Sequence, residues 1–91
     1  MKAGISIIIP TYNEADHIDQ TLHYLTNADR ADCIHQIIVA DGKSTDQTRK
    51  LAKKAGATVL QCSRKGRAKQ MNEAAGHAVA DILYFLHYLT I

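Results

Sequence analysis

Ile5-Ser6-Ile7-Ile8-Ile9 is an apolar run with one hydroxyl in it, and it passes directly into Pro10-Thr11-Tyr12-Asn13-Glu14. A half-exposed strand alternates apolar and polar residues; an unbroken run bounded by a turn signal reads as a strand buried on both faces. When such a strand stops at a proline and delivers polar groups to the start of a helix, it builds the kind of junction where open α/β sheets hold ligands. Function is therefore expected at the carboxyl end of this strand.

The rest of the chain repeats the alternation. After the junction, Ile18, Leu22 and Leu25 lie on one helical stripe, with Asn13 as the expected N-cap and Asp16 in the position of a capping-box partner. A second strand is expected over Ile34 to Ala40, followed by the turn Asp41-Gly42-Lys43-Ser44-Thr45-Asp46 and a helix from about Asp46 to Ala55. That helix should bury Leu51, Ala52 and Ala55 and stop at Gly56. A third strand, Thr58 to Cys62, leads through the basic loop Ser63 to Arg67 into a helix over Ala68 to Ala80, with Met71, Ala74, Ala75 and Ala78 inward. Ile82 to Leu86 reads as the fourth strand. Strands alternating with helices of these lengths form right-handed βαβ units, so residues 1–91 are expected to be one α/β domain: a parallel four-stranded sheet with helices on both faces. Laying strands two and three outward from strand one, and returning strand four to its free side, gives the order 3-2-1-4. The reversal then falls beside strand one, next to Pro10 to Glu14 and Asp41.

Composition narrows the partners. With 91 residues, 46% of them hydrophobic, the chain can bury roughly 60–65% of its unfolded surface. Its net charge of +2 is too small to argue for a nucleic-acid binder. Eight of the eleven basic residues nevertheless lie between positions 49 and 69, a stretch without an acid, where an anion could be met. That stretch has no aromatic residues for stacking, which argues against RNA and leaves peripheral membrane contact open. Cys33 and Cys62 have no CxxC spacing and read as reduced thiols. None of the five histidines forms a ligand-spaced pair with a carboxylate or cysteine, so no metal ligand is assigned. Nothing resembles a signal peptide or membrane span, and a cytoplasmic location is expected.

The residues at the junction have the chemistry of a nucleotide site. A carboxylate at Asp41 can accept from a nucleobase imide, Glu14 can accept from ribose hydroxyls, and Arg67 offers a planar cation to a base or phosphate. Plainer roles exist for each: Asp41 could cap its own turn, Glu14 could favour a helix dipole, and Arg67 could be a solvated surface charge. No GxGxxG follows the first strand and no GxxxxGK[ST] appears, which removes the dinucleotide and P-loop readings.

Four motifs in order, Ile7 to Glu14, Ile38 to Asp46, Gly66-Arg67-Ala68 with Asn72, and Asp81 to Leu86, resemble the N-terminal half of family-2 glycosyltransferases of the GT-A fold, a Rossmann-like architecture. Those enzymes move a sugar from a nucleotide-sugar donor to an acceptor. The resemblance implies that Pro10, Thr11 and Tyr12 line the base, Glu14 reaches the ribose, Asp41 binds the base edge, and Gly66 and Arg67 flank the nucleotide. It implies structural roles for Ser44, Asp46 and Asn72. It also implies Mn²⁺ or Mg²⁺ on the diphosphate, held by a carboxylate motif that short bacterial members write Leu-His-Ala-Asp-Thr. Here the sequence reads Leu86-His87-Tyr88-Leu89-Thr90, without that aspartate. The expectation is a donor-binding half, inactive alone, with no catalytic residue assigned; the alternative is a non-catalytic nucleotide-binding or self-assembling module. A fourth strand apolar on both faces and unguarded by proline or charge is expected to drive homo-oligomer formation through Ile82 to Leu86, burying Tyr84, Phe85 and Tyr88.

Overall fold

The computed structural model describes residues 4–27, 33–63, 65–78 and, for the backbone alone, 82–85. Its elements are β1 (Ile5–Thr11), α1 (Ala15–Thr26), β2 (Ile34–Asp41), α2 (Thr48–Lys54), β3 (Thr58–Gln61), α3 (Arg67–Ala75) and β4 (Ile82–Phe85). The strands are parallel and lie in the order β3-β2-β1-β4. The side chains of β4 and residues 86–91 carry the expected self-association and the vacant metal position. Both expectations therefore lie outside the described residues.

The period of two along β1 explains why its sequence is apolar without alternation. Ile7 and Ile9, with Val39 of β2, face α1 and α2 and meet Ile18, Leu22 and Ala52. Ile8, with Ile38 and Ala40, points the other way and meets Cys62 and Ala74 beneath α3. Helices thus cover both faces, so Ile7 to Ile9 are apolar on both, and the buried Ser6 hydroxyl donates to Gln36 Oε1 at 3.3 Å. Burial pushes the Cys62 thiol up to about 11, helped by the nearby Glu73 and Asp41 charges, so it behaves as a small core hydrophobe.

Several element limits differ from the sequence expectation. β1 does not stop at Ile9 but continues through Pro10 to Thr11, pairing Pro10 with Ala40 and Thr11 with Asp41. Thr11 turns its carbonyl toward β2, where it accepts from the Gly42 amide at 2.9 Å. Pro10 therefore faces the β4 side, past the last described pair, Ile8 with Phe85, and its missing N–H costs no ladder bond. β2 runs one residue past Ala40, to Asp41, and β3 ends at Gln61, one residue short of Cys62. α2 begins at Thr48 rather than Asp46, because Asp46 accepts from the Thr48 amide at 2.9 Å and so acts outside the helix. Ala55, expected inside, is exposed as the C-cap, while Thr48 is buried. Gly56 does end α2, in a left-handed conformation with φ +97; Gly56 N bonds Lys53 O and Ala57 N bonds Ala52 O, the pair that defines a Schellman stop. α3 starts at Arg67 and gives way to a turn at Gly76, well short of Ala80. The buried face of α3 includes Gln70 as well as Ala74, and Asn72, expected to be structural, is exposed.

Candidate functional site

The register of β1 on β2 sets Thr11 beside Asp41 at the carboxyl end of the sheet. Asp41 is completely buried. Its Oδ1 accepts from the Thr11 hydroxyl at 2.8 Å and from the Ser44 hydroxyl at 2.5 Å, and its Oδ2 accepts from the Ser44 amide at 2.8 Å. Arg49 Nε stands 3.8 Å from Oδ2 on a side chain that is 37% exposed, so it adds a screened charge more than a bond. A buried carboxylate is tolerated when its lone pairs are occupied in this way.

Asn13 is not the N-cap of α1. It takes a left-handed φ of +52, which asparagine tolerates, and its Oδ1 accepts from the amides of Thr45 at 2.8 Å and Asp46 at 3.3 Å. In exchange, the amide of Asn13 bonds Ser44 Oγ at 2.8 Å, that of Glu14 bonds Thr48 Oγ1 at 2.8 Å, and that of Ala15 bonds Asp46 Oδ2 at 3.2 Å. The open amides at the start of α1 are thus capped by side chains of the β2–α2 turn, and that turn is held by Asn13. The Thr48 hydroxyl also donates to Asp46 Oδ1. The two loops lock each other, which fixes Tyr12 and Glu14 relative to the sheet.

Partial desolvation raises the Asp46 carboxyl, but the donors from Thr48 and Ala15 outweigh it and hold the group below its ordinary value. Its folded value lies below the unfolded one of about 3.9, so its contribution is complete above that pH and is lost as pH falls through the folded value. Asp46→Asn should therefore flatten the acid limb of the stability curve, measured by urea unfolding from neutral pH downward. An acid limb as steep as the native one would show that the loop lock does not depend on this carboxylate.

Gln70 closes the third side. From α3 its Nε2 donates to Thr11 O at 2.9 Å and Ala40 O at 2.7 Å, and its Oε1 accepts from the Gly66 amide at 2.9 Å. One buried amide therefore ties the ends of β1 and β2 to the loop that starts α3. Gly42 passes directly over it: a Cβ there would sit 2.7 Å from Gln70 Oε1 and 2.8 Å from its Cδ. No sequence motif marks Gln70; a polar residue four before Ala74, on an otherwise apolar stripe, is the signal that finds it.

These contacts shape a crevice of about 160 Å³ between the end of β1 and the start of α3. Six of the seven sequence-derived site residues line it: Pro10, Thr11, Tyr12, Glu14, Gly66 and Arg67, joined by Gln70 and Lys65. Asp41 does not; it lies beneath, bound to Thr11. Lys65 sets its ammonium 3.6 Å from the centre of the Tyr12 ring. A larger groove of about 340 Å³ at the amino end of β2 is lined by groups such as Leu22, Leu25, Ile34 and Ile37, with no Asp, Glu, Lys or Arg, and is ill-suited to a diphosphate. Among the described residues no three His, Cys, Asp or Glu side chains are grouped to hold a metal ion. No helix among the described residues is long and apolar enough to cross a membrane.

A parallel sheet with a cationic crevice at the carboxyl end of its first strand belongs to the class of α/β ligand-binding domains whose sites lie at the strand ends. The model of glycosyl transferase family 2 matches residues 6–87, and the chain belongs to that family. Glycosyltransferase AglJ of Haloferax volcanii is 39% identical over 71 residues, covering 78% of this chain and 22% of the relative. Protein RfbJ of Shigella flexneri is 37% identical over 80 residues, covering 87% of this chain and 59% of the relative. Mannosyl-3-phosphoglycerate synthase from Rubrobacter xylanophilus superposes with a TM-score of 0.86 at 24% identity, over 93% of this chain and 30% of that one. Glucosyl-3-phosphoglycerate synthase from Mycobacterium tuberculosis, solved with Mn²⁺, uridine diphosphate and phosphoglyceric acid, superposes with a TM-score of 0.80 at 24% identity, over 93% of this chain and 32% of that one. At that identity the structural likeness is one of fold, the GT-A fold of the family. The chain spans between 14% and 59% of the length of the curated relatives it matches.

Proposed function

We propose that the crevice between β1 and α3 receives the nucleoside diphosphate part of a nucleotide-sugar donor, in a sheet whose working order is 3-2-1-4. The observation that carries this is convergence: Pro10, Thr11, Tyr12 and Glu14, and residues 65–67, far apart in sequence, form one crevice lined by two cations and one carboxylate. Tyr12 supplies an aromatic surface for a base, Glu14 an acceptor for ribose hydroxyls, and Arg67, at the first turn of α3, a bidentate partner for phosphate. Asp41 acts from below by fixing Thr11 and the turn through Ser44; because it is completely buried, a direct bond to a base edge would require the groups above it to move aside.

The solved relatives that carry uridine diphosphate and Mn²⁺ support a nucleotide-sugar reading at the level of the family. At the position of the family's metal-binding aspartate the sequence has Leu89, whose side chain has no oxygen for a hard cation. We therefore read residues 1–91 as a donor-binding unit that holds nucleotide without placing a metal on it. Calorimetric titration with UDP, GDP, CDP and ADP tests the reading. At least one should bind, and Arg67→Ala should weaken it about tenfold, the scale of one charge-assisted phosphate contact. Heat of binding from none of the four would contradict it.

A further inference from the structure

Lys65 lines the crevice from within the basic stretch between positions 49 and 69, yet the group it meets is not an acid. Its ammonium lies over the Tyr12 ring, 3.6 Å from the centroid. Both side chains line the crevice, Tyr12 is 37% exposed, and among the described residues no carboxylate is within ion-pairing distance of Lys65. A base stacked on that side of the ring would need the space the ammonium fills. Base and ammonium are therefore competitors for one aromatic surface.

Resting on the donor-site reading above, we propose that Lys65 is a specificity-determining residue that exchanges partners: it leaves the Tyr12 ring when a base arrives and is compensated only if the ligand brings a diphosphate. A nucleoside displaces the cation and returns nothing for the lost cation–π contact. A nucleoside diphosphate displaces it and offers phosphate oxygens, which bind an ammonium more strongly than a ring face does in partly exposed surroundings. The crevice thereby discriminates against free nucleosides without a dedicated phosphate loop. The charge-free variant Lys65→Met keeps the length of the side chain and removes the competitor and the phosphate partner together, so its effects on the two ligands must have opposite signs.

The test is calorimetry of uridine and UDP, and of guanosine and GDP, against the native chain, Lys65→Met and Lys65→Arg in metal-free buffer. Lys65→Met should bind the nucleoside about 2- to 5-fold tighter and the diphosphate about tenfold weaker, while Lys65→Arg stays close to native for both. Lys65 is exposed, so folding of the variants is expected and is checked by circular dichroism. If the native chain binds a diphosphate but Lys65→Met moves both ligands in one direction, or neither, the exchange is overturned and the donor site stands. If the native chain binds neither UDP nor GDP, and neither CDP nor ADP, the donor-site reading falls and the exchange falls with it.

Discussion

Asp41→Ala is expected to remove about 3 kcal/mol of stability, read as a fall in Tm of about 12 °C or more. The carboxylate is fully buried and serves the Thr11 hydroxyl, the Ser44 hydroxyl and the Ser44 amide at once. Its deletion strands three donors in a space that excludes water, and the Ser44 amide cannot turn to another partner. A chain of this size has a total stability of roughly 5–14 kcal/mol, so a large share would be lost. Arg49 contributes little to this figure, because a half-exposed guanidinium at 3.8 Å is screened. Asp41→Asn should be milder, near 1 kcal/mol, since both hydroxyls at Oδ1 can rotate to accept from an amide nitrogen placed there while the remaining oxygen serves Ser44 N. Thermal denaturation of the two variants checks the order; an alanine variant as stable as the native chain would show that the turn holds without its carboxylate.

The second large effect is a coupling. Gly42→Ala should cost about 2–3 kcal/mol, because its Cβ would press on a Gln70 amide that is pinned by Thr11 O, Ala40 O and Gly66 N and cannot swing aside. Gln70→Ala alone should cost a similar amount, leaving the Gly66 amide and the Ala40 carbonyl without that partner. Combined, the two should fall short of the sum by about 1–2 kcal/mol, since the shortened residue 70 vacates the space that Cβ needs. Urea unfolding of both single variants and the double variant measures this. Simple additivity would mean that the close approach of Gly42 to Gln70 is not what makes either residue necessary.

The alternation of strands and helices was legible because burial on both faces makes the middles of β1 and β2, Ile7 to Ile9 and Ile37 to Ala40, continuously apolar, and because Gly56 marks a helix end by its own conformational freedom. That Pro10, Thr11, Tyr12 and Glu14 line one crevice was legible for a related reason: a polar segment placed at the end of a buried strand has to emerge at the sheet's edge. What the sequence hid depends on register. Asn13 looks like a local cap, yet its partners Thr45 and Asp46 are more than thirty residues away and meet it only once β1 and β2 have paired. Asp41 carries the same ambiguity: its type suits a ligand or a turn, and only the folded positions of Thr11 and Ser44 show that its oxygens are already engaged. Gln70 was masked by its alanine-rich helix, although its place on the inward stripe announced a buried amide that needs partners.

Whether the end of β1 and the start of α3 form the donor site is decided by mapping backbone amide shifts during titration with the nucleoside diphosphate that binds. Perturbations should concentrate at Thr11, Tyr12, Glu14, Lys65, Gly66, Arg67 and Gln70, with smaller changes at Ser44 through the Asp41 network. Shifts confined to Ile34 through Ile37 and the opposite end of the sheet would contradict it.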